Sequence, residues 1–211
     1  AMAGEGCCNG LPGGEIERGG VNMTELVAKL INQGDTIIDG IERMFDRIEG
    51  SCSLLILHDD GVYAARDRVG YSPLVIGRRG NDWAVTSETT AFPNNGFEVT
   101  KYMGPGEITL ITETGLVQKK APGVEQQICA FLWIYTGFPA SDYEGINTEV
   151  VRERSGAHLA RRDKGLDVDL VCGVPDSGTT HAIGYAMESR KPFRRPLVKY
   201  TPGYGRSYTP P

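Results

Sequence analysis

An α+β segment followed by an α/β segment is the fold class that this sequence predicts, and three observations predict it. Apolar residues recur at helical spacing from Leu26 to Ile48. From Ser51 the period drops to two and turn dipeptides appear between β-prone runs. Past Pro122 a β-rich run enters a loop of glycine and hydroxyl residues that opens another helix-like stretch.

Residues 1–20 hold seven glycines and no periodic apolar pattern, which predicts a loop or a ragged edge. Asn22 and Glu25 have the spacing of an N-cap and a supporting acid ahead of Leu26, Val27, Leu30 and Ile31, so a short helix starts there. After Gly34, Asp35 or Thr36 caps a second helix carrying Ile37, Ile41, Met44, Phe45 and Ile48 on one face, and Gly50 ends it. "SLLILHDDGVYAAR" then reads as a hairpin turning at Asp60 and Gly61. "PLVIGRRGNDWAVTS" repeats it with a longer turn, and "EITLITETGLVQ" turns around Glu113 to Gly115. Three hairpins predict an antiparallel sheet with the two helices on one face, a layered α+β domain.

"ICAFLWIYTGF" predicts a buried strand or extended segment, and Asn147 caps a helix through Val150, Val151, Ala157 and Leu159. Val168 to Val174 predicts a strand, a helix follows from about Thr180, and "PLVKY" is a further short strand. Strand, helix, strand at this spacing is the βαβ pattern of a parallel sheet. The change of pattern places a boundary between about residues 120 and 140.

With 211 residues, 40% hydrophobic and 23% charged, the chain is long enough to bury a core and has an ordinary globular composition. No apolar run approaches the ~18 residues of a membrane span. A net charge of −5 argues against generic nucleic-acid binding, which needs a basic surface, and favours small-molecule chemistry. Five scattered cysteines without a C-x-x-C pair indicate neither a disulfide framework nor a zinc finger. That usage, with no signal pattern at the start, predicts a reducing, cytoplasmic setting.

The loop "VPDSGTTHA" is the foremost candidate site. A serine nucleophile needs a G-x-S-x-G elbow, and Ser177 stands instead in P-D-S-G-T, with His58, His158 and His181 in no triad order. A P-loop needs a lysine that is not there. Small residues and hydroxyls at a helix N-terminus, after the C-terminal end of a parallel strand, suit an anion. The alternative is that Ser177 or Thr179 only caps the helix. In "AARDRVGYSPLVIG", Arg66 and Asp67 read as a surface ion pair or a turn brace, and Gly70 as a positive-φ position. Cys129 reads as a buried small hydrophobe. "YTPGYGRSY", with Arg206, suits a phosphate-contacting loop or a plain surface loop.

The order of these motifs is more specific than any one of them. "YAARDRVGYSPLVIG", "AVTSETTAF" and "GPGEITLITETG" resemble the second half of the glutaminase domain of class II, N-terminal-nucleophile amidotransferases. Followed by "ICAFLWIYTGFPASDYEGINTEVVRERSGAHLA", "DLVCGVPDSGTTHAIGYA" and "VKYTPGYGRSY", the chain resembles the amidophosphoribosyltransferase family from about Asn22 to Pro211. R-D-x-x-G-x-x-P-L alone is shared with glucosamine-phosphate and asparagine synthases.

The resemblance implies a partial αββα glutaminase domain over residues 21–125 and, over 126–211, the start of a type I phosphoribosyltransferase domain with a Rossmann-like sheet. Glutamine supplies ammonia, which displaces pyrophosphate from phosphoribosyl pyrophosphate to give phosphoribosylamine, the opening step of purine synthesis. By position, Ser177 matches a residue that helps hold Mg²⁺, an ion that takes oxygen ligands. Gly178 and Thr179 belong to the same substrate loop. Lys199 and Arg206 match a K-N-R-Y-x-G-R-T region where phosphates of substrate or purine nucleotide bind, read here as K-Y-T-P-G-Y-G-R-S. Cys129 matches a cysteine that ligates an iron–sulfur cluster in one branch of the family. A homo-oligomer is implied as well.

The family's nucleophile is a cysteine at the mature N-terminus, whose own amine serves as base. This sequence starts with Ala1, and Cys7 and Cys8 lack the C-G-x-x-G setting. Asn9 and Gly10 resemble the oxyanion pair but stand too close to Thr24 and Glu25 to be carried over. The glutamine-pocket arginine and the acidic D-D-S-x-x-R-G-T-T loop are not in the 211 residues either. The expectation is an internal piece of such an enzyme, inactive alone, with no catalytic residue assigned. A non-enzymatic phosphoribosyl- or nucleotide-binding regulator and another class II amidotransferase, such as a sugar-phosphate aminating enzyme, are the alternatives.

Overall fold

The computed structural model describes residues 22–200, and the chain divides into two compact units, residues 1–129 and 130–211. Helix α1 (Met23–Ile31) starts where Asn22 caps it, its side chain accepting from the Thr24 and Glu25 N–H groups. Helix α2 (Ile37–Arg47) is capped by Thr36, whose hydroxyl accepts from the Asp39 N–H at 3.1 Å, a contact that contributes about 1 kcal/mol. It ends at Arg47, with Ile48 already extended, three residues earlier than Gly50 suggested.

Seven strands follow. They are β1 (Leu54–His58), β2 (Gly61–Ala65), β3 (Val75–Arg79), β4 (Asp82–Thr86), β5 (Glu98–Tyr102), β6 (Ile108–Thr112) and β7 (Gly115–Lys120), with short helix α3 (Ala91–Asn94) before β5. All three hairpins form, yet they do not share one sheet. The order β1-β2-β6-β7 makes a four-stranded sheet, and β4-β3-β5 makes a separate three-stranded one. Strand β5 pairs with β3 and gave no hairpin signal in the sequence. The first turn is Asp59–Asp60, since His58 pairs with Gly61. The second is the tight pair Gly80–Asn81 rather than a longer loop, since Arg79 pairs with Asp82.

The period of two sorts β2 and β6 into opposite faces. Tyr63, Ala65, Ile108 and Leu110 pack with Leu26, Leu30, Ile41, Met44 and Phe45 of the helices. Ala64 and Ile111 face the other way and pack with Leu74, Ile76 and Met103. The first unit is thus a helix layer on a sheet on a sheet. Beyond the cover of the second sheet, β1 leaves Leu57 85% exposed.

In the second unit, Leu132–Thr136 forms a π-helical turn, not an extended segment, and only Trp133 of that stretch is buried. Phe131, Tyr135 and Phe138 are exposed. A two-strand ladder, β8 (Asp142–Tyr143) with β9 (Ile146–Asn147), leads into helix α4 (Thr148–Arg162), capped by Asn147 at the Val150 N–H. Helix α5 (Gly178–Ser189) packs across α4. A Cβ on Gly156 would lie 1.8 Å from the His181 carbonyl oxygen, and one on Gly184 would lie 2.0 Å from that of Glu153, so the two backbones touch where these glycines meet them. The buried row of α4 is Thr148, Arg152, Gly156 and Ala160, while Val150 and Leu159 are exposed.

The strands expected at 168–174 and in "PLVKY" do not form. A single parallel bridge joins Val171 to Phe193, with the Val171 N–H donating to Pro192 O and the Arg194 N–H to Val171 O, each at 3.0 Å. Val171 and Phe193 flank α5, so the connection is parallel, but this one bridge, three residues short of "PLVKY", is all the ladder that forms there. Among the described residues no helix is long and apolar enough to cross a membrane.

Candidate ligand-binding site

Asp176, Ser177, Gly178 and Thr179 occupy the turn into α5, which begins at Gly178, two residues before the expected Thr180. Ser177 is already helical in backbone and its hydroxyl makes no cap hydrogen bond, so it does not serve as the N-cap donor partner that one sequence reading allowed. The turn closes on itself through the main chain. The Gly178 N–H donates to Val174 O at 3.0 Å and the Thr179 N–H to Asp176 O at 3.2 Å. These two N–H groups therefore point into the turn rather than toward a ligand. The Pro175–Asp176 peptide is cis.

Lys199, remote in sequence, comes to the same loop. Its ammonium lies 3.5 Å from a carboxylate oxygen of Asp176. Ser177 is half-buried, whereas both ion-pair partners are largely exposed. A shallow apolar groove of about 460 Å³ flanks the loop, lined by Leu159, Leu170, Val171, Val174, Ala182 and Tyr185. Arg206 lies outside the described residues, as do Cys7, Cys8, Asn9 and Gly10.

The hydrolase reading gains nothing from the geometry. The His181 ring hydrogen-bonds the Ile134 carbonyl at 3.1 Å, and His58 is paired with Asp60 at 2.6 Å. Cys129 is a half-buried free thiol rather than a core hydrophobe. Among the described residues no three His, Cys, Asp or Glu side chains are grouped to hold a metal ion; the further cluster ligands that the resemblance implies beside Cys129 belong farther along the chain.

Arg66 and Asp67 are wholly buried, not a surface ion pair. The Arg66 guanidinium donates to the carbonyls of Ser72 at 3.2 Å, Gly70 at 2.6 Å and Met103. Asp67 accepts from the Ser51 and Ser53 hydroxyls and from the Tyr71 and Ser72 N–H groups. Together they brace the loop that turns at Gly70, whose φ of 66° is the left-handed value expected of it. The motif is thus scaffold for the sheets.

Two buried charges escaped the sequence reading. Glu107 accepts from Lys101, from the Gly104 N–H at 2.9 Å, from Thr109 at 3.1 Å and from Gln118 at 2.8 Å. Burial works to raise its pKa, but the hydrogen bonds from Lys101, Gln118 and Gly104 outweigh it and hold the carboxyl below the ordinary glutamate range. Arg152, 2% exposed, donates to Trp133 O at 2.7 Å, Tyr135 O at 3.2 Å and Gly137 O at 2.7 Å. It fastens the π-helical turn to α4. The signal for Arg152 was its spacing of four from Thr148 and Gly156; for Glu107 the sequence offered none.

Residues 19–94 match the family model of a glutamine amidotransferase domain. The amidophosphoribosyltransferase of Archaeoglobus fulgidus is 36% identical over 179 residues, covering 84% of this chain and 39% of that protein. That of Bacillus subtilis is 33% identical, covering 83% and 37%. Among solved structures, the glutamine phosphoribosylpyrophosphate amidotransferase from B. subtilis complexed with ADP and GMP superposes with a TM-score of 0.80 at 32% identity, over 90% of this chain and 42% of that one. A structure described as the allosteric regulatory enzyme of purine biosynthesis gives the same TM-score at 31% identity, over 92% and 43%. The chain spans about two fifths of the length of these relatives.

Proposed function

Because the chain belongs to the amidophosphoribosyltransferase family, we propose that it is part of an enzyme converting phosphoribosyl pyrophosphate and glutamine to phosphoribosylamine, the first committed step of purine synthesis. Residues 21–125 then form the second half of the glutaminase domain, and the helix-on-sheet-on-sheet layering of the first unit supports that reading. Residues 126–211 begin a Rossmann-like phosphoribosyltransferase domain. The parallel bridge on either side of α5 supports this assignment.

One observation carries the proposal for the site: Lys199 reaches the P-D-S turn at the head of α5, where the Ser177 hydroxyl is free of capping duty. Ser177, Gly178, Thr179 and Lys199 form one wall of the phosphoribosyl pyrophosphate site; Arg206, which the resemblance assigns to the same site, lies outside the described residues. The positive end of the α5 dipole and the ammonium attract the phosphates. A hydroxyl beside a carboxylate is an oxygen donor set that suits Mg²⁺, which keeps its waters and substrate phosphates as further ligands. When bound, that ion neutralises charge on the diphosphate leaving group. Purine nucleotides act as regulators, the working form is a cytoplasmic homo-oligomer, and the chain binds no nucleic acid.

The test is an NMR titration of the chain with phosphoribosyl pyrophosphate and Mg²⁺. Amide shifts should concentrate at residues 176–180 and at Lys199. Ser177→Ala should weaken binding about tenfold, the loss of one hydrogen bond to a charged group. Absence of localised shifts at millimolar ligand overturns the assignment.

A further inference from the structure

A second groove, of about 680 Å³, lies wholly within the second unit. It shares Leu159 and His181 with the groove beside the P-D-S turn, but none of Ser177, Gly178, Thr179 or Lys199. One wall is the π-helical turn, which presents Phe131, Ile134 and Tyr135. The other is α4, where Ser155, His158, Leu159 and Arg162 recur at the spacing of one helix face. The rings of Phe131 and Tyr135 meet edge to face with centroids 5.6 Å apart, yet remain 54% and 56% exposed. Two rings that already touch and still leave half their surface open offer contact to a third flat ring.

The charge of the groove is one-sided. No Asp or Glu stands in its lining, although the chain carries a net charge of −5. Among the described residues the Arg162 guanidinium takes part in no hydrogen bond or ion pair, whereas its neighbour Arg161 grips Glu188 through two contacts of 3.0 Å. The Ser155 hydroxyl already donates to Val151 O at 2.9 Å, and His181 Nε2 donates to Ile134 O at 3.1 Å. Arg162 and His158, one turn apart on α4, are therefore the donors left for a ligand. We propose that this groove binds a small aromatic carboxylate, its ring against Phe131, Tyr135 and Leu159 and its carboxylate on Arg162 and His158. The planar guanidinium fork fits the two oxygens of a carboxylate, and one arginine matches one negative charge better than the higher charge of a phosphate ester. Leu159 and Arg162 are three residues apart, about 4.5 Å along the helix axis, which a two-carbon arm between ring and carboxyl can span. The carbonyl end of α4 opposes an anion there, a weaker effect than a bidentate charged pair.

The experiment is an NMR titration of the whole chain with 3-phenylpropionate and with the uncharged 3-phenylpropanamide, for the native protein and for Arg162→Gln and Phe131→Ala. Circular dichroism checks that these exposed substitutions leave the fold intact. With the acid, backbone N–H shifts should concentrate at residues 131–135 and 155–162 and saturate in the millimolar range of a small ligand in an open groove. The uncharged compound should bind about tenfold more weakly, the loss of a hydrogen-bonded charge pair. Arg162→Gln should abolish that preference by weakening the acid alone, and Phe131→Ala should weaken both compounds alike. Equal binding of the two compounds by the native protein, or a preference for the acid that survives Arg162→Gln, overturns the proposal. So does an acid that produces no saturable shifts at residues 131–135, wherever else it binds; shifts confined to residues 176–180 would place it at the P-D-S turn and leave that site standing.

Discussion

Glu107 shows how far a single side chain can be committed by its neighbours. Four donors converge on a carboxylate that is 1% exposed, so its ionised form belongs to the native state and its protonated form does not. The native pKa is lowered relative to the unfolded chain. Above the ordinary glutamate range both states are ionised and the whole contribution is present. As the pH falls through that range the unfolded chain takes up the proton first, and the contribution drains away toward the native value. Glu107→Gln should therefore cost about 2 kcal/mol in thermal unfolding at pH 7 and progressively less toward pH 3. A cost that stays constant over that interval would falsify the assignment.

At the scale of elements, the pairing of α4 with α5 depends on two absent side chains. Replacing Gly184 by alanine should favour the isolated helix by about 1 kcal/mol. In the folded protein the added Cβ meets the Glu153 carbonyl at 2.0 Å, and the helices must separate. The packing cost of about 1–3 kcal/mol or more should win. Gly184→Ala is expected to lower the thermal midpoint of the second unit, read by far-ultraviolet circular dichroism. A midpoint that rises would mean that helix propensity, not contact, governs there.

The elements also show what the sequence could and could not reveal. Helices with a side-chain cap and an apolar stripe, α1 and α2, were legible to within a few residues, because local chemistry alone specifies them. The hairpins were legible as pairs, but not as two sheets, since the partner of β3 on its other side is decided by packing across Phe92 and Met103 rather than by any turn. Where long-range hydrogen bonds override local preference, the reading failed. "FLWIYTGF" has the composition of a strand, yet Arg152 collects its carbonyls into a π-helical turn. Val168 to Val174 has strand propensity but only one bridging partner. At the candidate site, local chemistry marked the P-D-S turn as suited to an anion, but Lys199 could be named only through motif order. That they meet is visible in the fold alone.

For the molecule as a whole, the division at residue 129 makes an energetic statement. Glu107 and Gly184 belong to different units, so their substitutions should not share a mechanism. The losses from Glu107→Gln and Gly184→Ala are expected to add within about 0.5 kcal/mol in the double variant. A departure beyond about 1 kcal/mol, measured by chemical denaturation, would show that the two sites are energetically coupled.

Arg152 also imposes an order of events. The carbonyls it serves lie 15 to 19 residues earlier in the chain, so each is synthesised before the guanidinium joins the chain. Until α4 winds, those oxygens have only water for company, and a five-residue helical turn has no independent reason to persist. The π-helical turn is therefore among the first parts of its unit to be synthesised and among the last to take shape.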